Sequence, residues 1–213
     1  MLLLASFVYA ADTSQFQVEI TPGTLSIDIA DSTNSYATVA APSVDFASSA
    51  FSFACQSTAG VFGTATETIY VQNPDASDTG WTIGLAAANP TDLWASISAP
   101  AVTFDFNDPT TAGCTDGGDA DTVAGQLSVD PSSSSTIGTG DCLTCATTGV
   151  TAGSASAYNQ AVVDSIQIFS GAAGSDDIGD WEIIGVDLDQ TLPGEQPAYS
   201  DYALDFTLSV VAL

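Results

Sequence analysis

The sequence predicts an all-β protein, and three observations support that prediction. Apolar and polar residues alternate strictly from Tyr202 to Leu208, which places a row of apolar side chains on one face of a strand. Two Trp-x-Ile motifs, at residues 81–83 and 181–183, each follow a glycine and a polar turn, as paired core strands would. No window of about 11 residues carries an apolar stripe of helical period between helix caps. We therefore expect a single antiparallel β-sandwich of jelly-roll-like type.

Strand-like stretches follow one another along most of the chain. Each is an alternating apolar run or a run rich in β-branched residues, and Gly, Pro or Asn residues separate it from the next. The predicted strands lie at residues 16–20, 25–29, 44–53, 64–71, 81–87, 94–97, 101–106, 161–169, 181–188 and 199–208.

The length allows one β domain with a full core, since the chain has 213 residues of which 45% are hydrophobic. We expect residues 11–213 to form that domain. Residues 1–10, MLLLASFVYA, are apolar and end in the small-residue pattern of a signal-peptidase site, but they lack a positive n-region. They are interpreted either as a signal-peptide remnant or as a retained N-terminal strand that needs a groove to occupy.

Residues 107–160 differ in composition, because Asp, Gly, Ser and Thr dominate and residues 132–135 are an uninterrupted serine run. Such a sequence is typical of loops. We expect a loop-rich insertion with one short strand at residues 126–129, stapled by disulfides that restrict the unfolded chain.

The four cysteines predict disulfides, since their number is even and a secretion signal is expected. They are Cys55, Cys114, Cys142 and Cys145, and three pairings are open. The alternatives are a redox Cys-x-x-Cys motif and a Cys₄ zinc site. The chain offers no cationic neighbour to lower a thiol pKa, and it has only one Cys-x-x-Cys where zinc sites usually have two.

The composition excludes several classes of function. The chain has no Lys, Arg or His against 26 acidic residues, which gives a formal charge of −26. Nucleic-acid binding lacks the Lys and Arg that contact phosphates, and Ser-His-Asp or Cys-His catalysis and His-ligated zinc lack the imidazole. An anionic membrane would repel the chain, and residues 1–10 are too short to span one. Hard cations, Ca²⁺ above all, remain natural partners; alternatively, the charge serves only to keep an extracellular protein soluble.

Seven short stretches occur in a characteristic order: Gly-Thr-Leu-Ser-Ile (23–27), Val-Asp-Phe-Ala (44–47), Thr-Ile-Tyr-Val-Gln-Asn (68–73), Thr-Gly-Trp-Thr-Ile (79–83), Gly-Val-Thr-Ala-Gly-Ser-Ala (149–155), Gly-Asp-Trp-Glu-Ile (179–183) and Tyr-Ala-Leu-Asp-Phe-Thr-Leu (202–208). This series resembles the WxL domain of bacterial cell-surface proteins, as a Trp-x-Ile variant, from about Phe16 to the end. Family members attach non-covalently to the peptidoglycan of Gram-positive cells, so the resemblance implies a WxL-like fold at the cell envelope. The chain departs from the family in its two isoleucines, in its mid-chain cysteines, and in Asn73-Pro74-Asp75, where an arginine often stands.

One acidic stretch is a candidate metal site. Asp116, Asp119 and Asp121 offer oxygen donors at close spacing with glycines between them, as calcium loops do. They are therefore the candidate Ca²⁺ ligands, and a solvated loop is the alternative. Asp176 and Asp177 with Asp180 form a weaker second candidate.

The two Trp-x-Ile motifs are expected to lie in the core. Trp81 and Ile83, like Trp181 and Ile183, begin apolar strands, where large side chains are normally buried. For the two tryptophans the alternative is stacking on sugar rings.

Together these observations predict a secreted, non-enzymatic structural or binding protein at the cell surface. Its expected partners are a cell-wall polymer, other surface proteins or copies of itself. A second interpretation is a self-assembling extracellular filament or surface-layer subunit, in which residues 1–10 are donated to the open sheet edge of the next subunit. A glycoside hydrolase that works with two carboxylates is a remote third, because that chemistry needs only Asp or Glu.

Overall fold

The computed structural model describes residues 17–19, 21, 23–74, 79–132, 136–140, 142, 145–174 and 179–213. This part of the chain contains sixteen β-strands and two short 3₁₀ turns, and every strand pairing is antiparallel. The all-β prediction is therefore confirmed. The predicted signal or donor segment, residues 1–10, lies outside the described residues.

The strands have the following bounds in chain order: β1 (Ser26–Asp31), β2 (Ala37–Thr38), β3 (Gln56–Phe62), β4 (Thr68–Asn73), β5 (Trp81–Ala87), β6 (Trp94–Ser96), β7 (Thr103–Phe104), β8 (Gln126–Asp130), β9 (Thr136–Thr139), β10 (Val150–Ala152), β11 (Ser156–Ala157), β12 (Ile166–Gly171), β13 (Gly179–Ile184), β14 (Val186–Leu192), β15 (Tyr202–Ala203) and β16 (Phe206–Ala212). The 3₁₀ turns are Ser32–Asn34 and Thr110–Gly113.

The described strands form four sheets. The front sheet has the order β2-β1-β4-β13-β9, and the back sheet has the order β10-β12-β5-β16. The side sheet has the order β11-β8-β14-β3, and the small sheet consists of β15, β6 and β7. The side and front sheets share their connectivity: β3 leads into β4, β8 into β9, and β14 follows β13. Three strands of the front sheet and three of the side sheet therefore come from the same three passes of the chain, whereas β1, β2 and β11 do not.

The front and back sheets meet at the two Trp-x-Ile motifs. Trp81 on β5 and Trp181 on β13 are both fully buried, and their ring centroids lie 5.5 Å apart. Ile83 and Ile183 are fully buried on the same strands. Phe169 on β12 packs edge-on against Trp81 at 5.3 Å. The centre of the sandwich is therefore an aromatic contact between two opposed sheets.

The motif strands are not hydrogen-bonded to each other, which corrects the prediction of paired strands. β5 pairs with β12 and β16, whereas β13 pairs with β4 and β9. The motifs resemble each other because each places a tryptophan and an isoleucine on the inner face of its own sheet. Period-2 alternation gives this inward pattern and does not identify the strand's neighbours.

The predicted strand at residues 181–188 divides in two at Gly185. This glycine has φ of 82°, a backbone conformation that side chains with a Cβ rarely adopt. Its N–H donates to the Gly63 carbonyl at 2.9 Å, and Gly63 itself has φ of 86°. A Cβ on Gly63 would lie 2.8 Å from the Ile183 carbonyl oxygen. The two glycines thus allow adjacent strands to pass from the front sheet to the side sheet.

The region 107–160 contains four strands, β8 to β11, rather than the single strand that was predicted. Three of them are short and rich in Gly, Ser, Thr or Ala, so they carry no alternating apolar signal. Conversely, residues 44–53 form no strand beyond one isolated bridge between Phe46 and Gly60. Phe51 and Phe53 from that stretch are exposed, at 52% and 80%, and their rings contact each other edge-on.

Two disulfides join all four cysteines. Cys55 is bonded to Cys114, and Cys142 to Cys145. The first bond ties the segment before β3 to the residue that follows the second 3₁₀ turn. The second closes a short loop beside β13, where the Trp181 indole N–H donates to the Ala146 carbonyl at 3.0 Å. In the described residues no helix is long and apolar enough to cross a membrane.

We predict that Trp181→Ala lowers the free energy of unfolding by about 3–5 kcal/mol, because it leaves a cavity against Trp81 at the centre of the sandwich. Chemical denaturation measures this change. Val211→Thr is the matched control, since Val211 is 57% exposed on β16 and Thr keeps the β-branched shape. An alanine variant as stable as the control would show that the indole does not hold the sheets together.

Candidate functional site

The best-defined polar site lies where an acidic loop, residues 109–123, leaves and rejoins the sandwich. The two ends of the loop are held side by side by backbone hydrogen bonds. The N–H of Asp105 donates to Ala124 at 2.9 Å, and the N–H of Asp108 donates to Gly125 at 3.0 Å. Gly125 has φ of 143°, and a Cβ there would lie 2.0 Å from the Asp105 carbonyl oxygen. The close approach of the two ends therefore requires glycine.

Asp108 organises the first half of the acidic loop. Its side chain is fully buried. One carboxylate oxygen accepts from the Thr110 N–H at 2.8 Å, and the other accepts from the Gly117 N–H at 2.9 Å. The disulfide from Cys55 to Cys114 holds the same half of the loop. The first half of the loop, up to Gly117, is thus fixed by the disulfide and by the buried Asp108 carboxylate.

Three carboxylates converge at the base of the loop, and we call them the carboxylate cluster: Asp105, Asp119 and Asp121. One oxygen from each lies within 4.8 Å of the others. Asp105 follows β7 and is 1% exposed, whereas the other two lie on the loop and are half-buried. At an effective dielectric constant of 20, two like charges about 4 Å apart repel by about 4 kcal/mol. The cluster is therefore costly when all three groups are ionised.

Hydrogen bonds satisfy only part of the cluster. Asp105 Oδ1 accepts from the N–H groups of Phe106 at 2.6 Å and Asn107 at 3.2 Å. Asp119 Oδ1 accepts from the Asp121 N–H at 3.2 Å, and Asp121 Oδ1 accepts from the Val123 N–H at 2.9 Å. The Oδ2 atoms of Asp105 and Asp119 are buried and have no hydrogen-bond partner in the described structure. Two buried oxygens thus lack a donor, which is rare in folded proteins.

Burial and repulsion between neighbouring carboxylates raise the pKa values of Asp105 and Asp121. Burial is the largest cause for Asp105 and raises its pKa to about 7, while the backbone N–H donors of Phe106 and Asn107 oppose the shift. The charge of Asp121 and the contact with Asp119 raise it further. The pKa of Asp121 is also raised, first by burial and then by neighbouring carboxylates. The cluster therefore favours bound protons or another positive charge.

The structure brings together two of the three predicted calcium ligands. Asp119 and Asp121 belong to the cluster, whereas Asp116 is exposed and lies outside it, although its charge still raises the pKa of Asp121. Sequence reasoning missed Asp105, because it was assigned to the predicted strand at residues 101–106. The sequence feature that could have identified Asp105 is its position directly after an apolar strand and before an acidic loop.

The second acidic candidate is only partly described. Asp176 and Asp177 lie outside the described residues. Asp180 lies near Cys142 and Cys145, but those sulfurs are bonded to each other. The Asp180 carboxylate accepts from the Tyr70 hydroxyl and from the Cys142 N–H. Its oxygens therefore take part in fixing the short disulfide loop.

Neither motif tryptophan is placed to stack on a sugar. Trp81 and Trp181 are 0% exposed, so neither ring presents a face to solvent. The third tryptophan, Trp94 on β6, is 9% exposed, and its indole N–H donates to the buried amide oxygen of Gln190 at 2.9 Å. The Gln190 amide N–H₂ donates in turn to the Asp105 carbonyl at 3.1 Å, which links the small sheet to the cluster.

An apolar groove of about 480 Å³ runs beside β16, the last strand of the back sheet. Within the described residues, β16 is hydrogen-bonded only to β5, and β1 of the front sheet lies close to it without pairing. Its inward-facing Phe206, Leu208 and Val210 are only half-buried. The groove lining combines apolar residues with three acidic ones. The apolar residues include Val44, Phe46, Leu85, Leu188, Leu204 and Leu208, and the acidic residues are Asp45, Glu67 and Asp205.

Comparisons of the chain with protein-family models, with curated proteins and with solved structures found no match. The WxL resemblance accordingly remains a prediction.

The cluster predicts an unusual pH dependence for the protein in EDTA. The folded-state pKa of Asp105 is about 7, above its ordinary value of 3.8, so the folded protein binds this proton more tightly than the unfolded chain does. Its contribution to stability is complete below about pH 4 and is lost as the pH rises through about 7. Asp105→Asn, which stays neutral, should therefore gain stability relative to wild type as the pH rises.

Urea denaturation of both proteins in EDTA between pH 4 and pH 8 measures this difference. Asp119 and Asp121 face Asp105 and are present in both proteins, so the difference reports the Asp105 carboxyl together with its repulsion of these two neighbours. Parallel stability curves for the two proteins would contradict the assigned burial of Asp105.

Proposed function

We propose that this chain is a secreted, non-enzymatic structural or binding protein that works at the cell surface, attached to or displayed on the envelope. The observation that carries the proposal is the pairing of all four cysteines in two disulfides. Disulfides of this kind persist in oxidising compartments outside the cytosol. Cys55–Cys114 also closes a long loop, for which the chain-entropy model gives about 4 kcal/mol of stabilisation.

The charge supports the same proposal. A formal charge of −26 without one basic side chain keeps separate copies apart and soluble. The carboxylate with the most raised pKa value, Asp105, is 1% exposed, so a bound sugar would not reach it. A glycoside hydrolase needs two accessible carboxylates on either side of the scissile bond. These features favour a binding or structural role over catalysis.

The WxL resemblance suggests how the protein would be retained. We propose a non-covalent attachment to a cell-wall polymer or to other surface proteins. Wall polymers are often anionic, so a chain with this charge would need shared divalent cations to approach them closely. Retention at the envelope should therefore weaken when such cations are removed.

The proposed location predicts that proteinase K added to intact cells of the producing organism degrades the protein. Trypsin is unsuitable because the chain has no Lys or Arg, and amine-reactive labels would find no lysine side chain to modify. An immunoblot after digestion, with lysed cells as the control for cleavability, gives the result. Thiol titration under denaturing, non-reducing conditions should find no free thiol. Protection in intact cells together with four free thiols would place the protein in the cytosol and overturn the proposal.

A second candidate function, a filament or surface-layer subunit, is favoured by the apolar groove. Residues 1–10 are apolar and contain no carboxylate, so they can approach this acidic protein without repulsion. In a second copy they would pair with the outer edge of β16 and place alternate side chains in the groove. Backbone pairing and apolar burial would both add to the affinity of such an assembly.

This second function predicts that protein with residues 1–10 intact forms oligomers, and that removing those residues leaves monomers. Light scattering measures both. Leu204→Asp, which replaces an apolar side chain of the groove by a charge, should also prevent assembly, whereas Ser209→Asp on the exposed face of β16 should not. A full-length chain that stays monomeric in EDTA and in calcium would rule out strand donation.

A further inference from the structure

The carboxylate cluster has no counter-charge within the chain. No Lys, Arg or His side chain exists to pair with Asp105, Asp119 or Asp121. Nevertheless, Asp105 is 1% exposed, and its Oδ2 atom has no hydrogen-bond donor. Asp119 Oδ2 is in the same position. Buried carboxylates of this kind are normally paired or coordinate a metal ion.

We propose that Asp105, Asp119 and Asp121 bind a calcium ion that joins the acidic loop to the sandwich. The spacing fits, because one oxygen from each residue lies within 4.8 Å of the others. Calcium–oxygen distances are about 2.3–2.6 Å, so two ligands on opposite sides of the ion lie about 4.6–5.2 Å apart. An ion between the three carboxylates would therefore contact all of them with little movement of the loop.

The donor set selects the class of ion. All three ligands are carboxylates, and no imidazole or free thiol lies among them, which favours hard cations over zinc. Calcium accepts six to eight oxygens in flexible geometry, whereas magnesium requires a nearly ideal octahedron and gives up its water reluctantly. The irregular loop and the uneven burial of the three residues suit calcium. Asn107 Oδ1 is another buried oxygen without a donor in the same segment.

This inference does not depend on the proposed location, because it rests on the cluster alone. The acidic loop is tied to β7 and β8 at its base and to Cys55 through Cys114. The hydrogen bonds of Asp119 and Asp121 described above stay within the loop and do not join it to a strand. The ion would supply that connection, by linking Asp119 and Asp121 to Asp105 at the sandwich. Calcium binding would thus complete the fixation of the loop.

Isothermal titration of the chelator-treated full-length chain with calcium chloride tests the proposal. Wild type should bind one ion at this site. Asp105→Asn, Asp119→Asn and Asp121→Asn should each weaken the binding by about tenfold or more, since even outer-sphere partners of metal ligands change affinity by about 10–100-fold. Asp116→Asn is the matched control from the same loop. It should weaken binding by less than about fivefold, as expected for an exposed charge outside the cluster.

Thermal melting provides an independent readout that a purely structural role would not reproduce. Calcium should raise the wild-type midpoint in a concentration-dependent way, and this rise should be much smaller in Asp105→Asn. In EDTA at pH 8 the same variant should melt no lower than wild type, which shows that it folds. No calcium response in wild type, or an equal response in Asp105→Asn and Asp116→Asn, would overturn the site. An equal response to magnesium chloride would overturn the assignment to calcium.

Discussion

The absence of basic side chains is the constraint on which most of the polar structure depends. No carboxylate in this chain can be neutralised by Lys, Arg or His, so each must be solvated, hydrogen-bonded or protonated, or must bind an external cation. Many of the described carboxylates accept backbone N–H groups at turns. Asp108 accepts from Thr110 and Gly117, and Asp201 accepts from the Ser98 N–H at 2.7 Å. Hydrogen bonds from Ser98 and Ser96 accordingly lower the pKa of Asp201.

In the carboxylate cluster, backbone N–H groups do not satisfy all of the carboxylate oxygens. The local backbone supplies donors for only one oxygen of Asp105 and one of Asp119, and like charges surround the others. Asp108 lies only three residues after Asp105, yet both of its carboxylate oxygens have hydrogen-bond donors. Carboxylate oxygens that are buried without a hydrogen-bond donor are thus concentrated in the carboxylate cluster.

The sequence predicted the inward-facing strands well and their neighbours poorly. Residues 81–87 were predicted as a strand, and β5 has those bounds, because the apolar alternation around Trp81 is strong. The facing of Trp81 and Trp181 across two sheets was not predictable, since alternation fixes a face and not a partner. The break at Gly185 was also missed, because a glycine within a strand pattern does not reveal where adjacent strands bend together.

The candidate site was predicted in the same partial way. Asp119 and Asp121 were found from the local spacing of acids and glycines, which sequence records directly. Asp105 was missed because its proximity depends on the backbone pairing of two segments, such as the Leu127 N–H donating to the Phe106 carbonyl at 2.7 Å. That pairing is a tertiary contact between segments separated by the acidic loop, so local sequence spacing does not indicate it. The strands of residues 136–157 were missed for the related reason that they lack an apolar pattern.

The position of β16 has a consequence for how the chain reaches its folded form. β5, which carries one half of the central tryptophan contact, is bordered on one side by β12 and on the other by β16, near the end of the sequence. In the front sheet, β4 likewise pairs with β13, which is synthesised much later. Neither sheet is complete while the C-terminal third is still being synthesised. Such non-local pairing slows folding. The delay lengthens the time during which the apolar inner faces of both sheets are exposed to solvent.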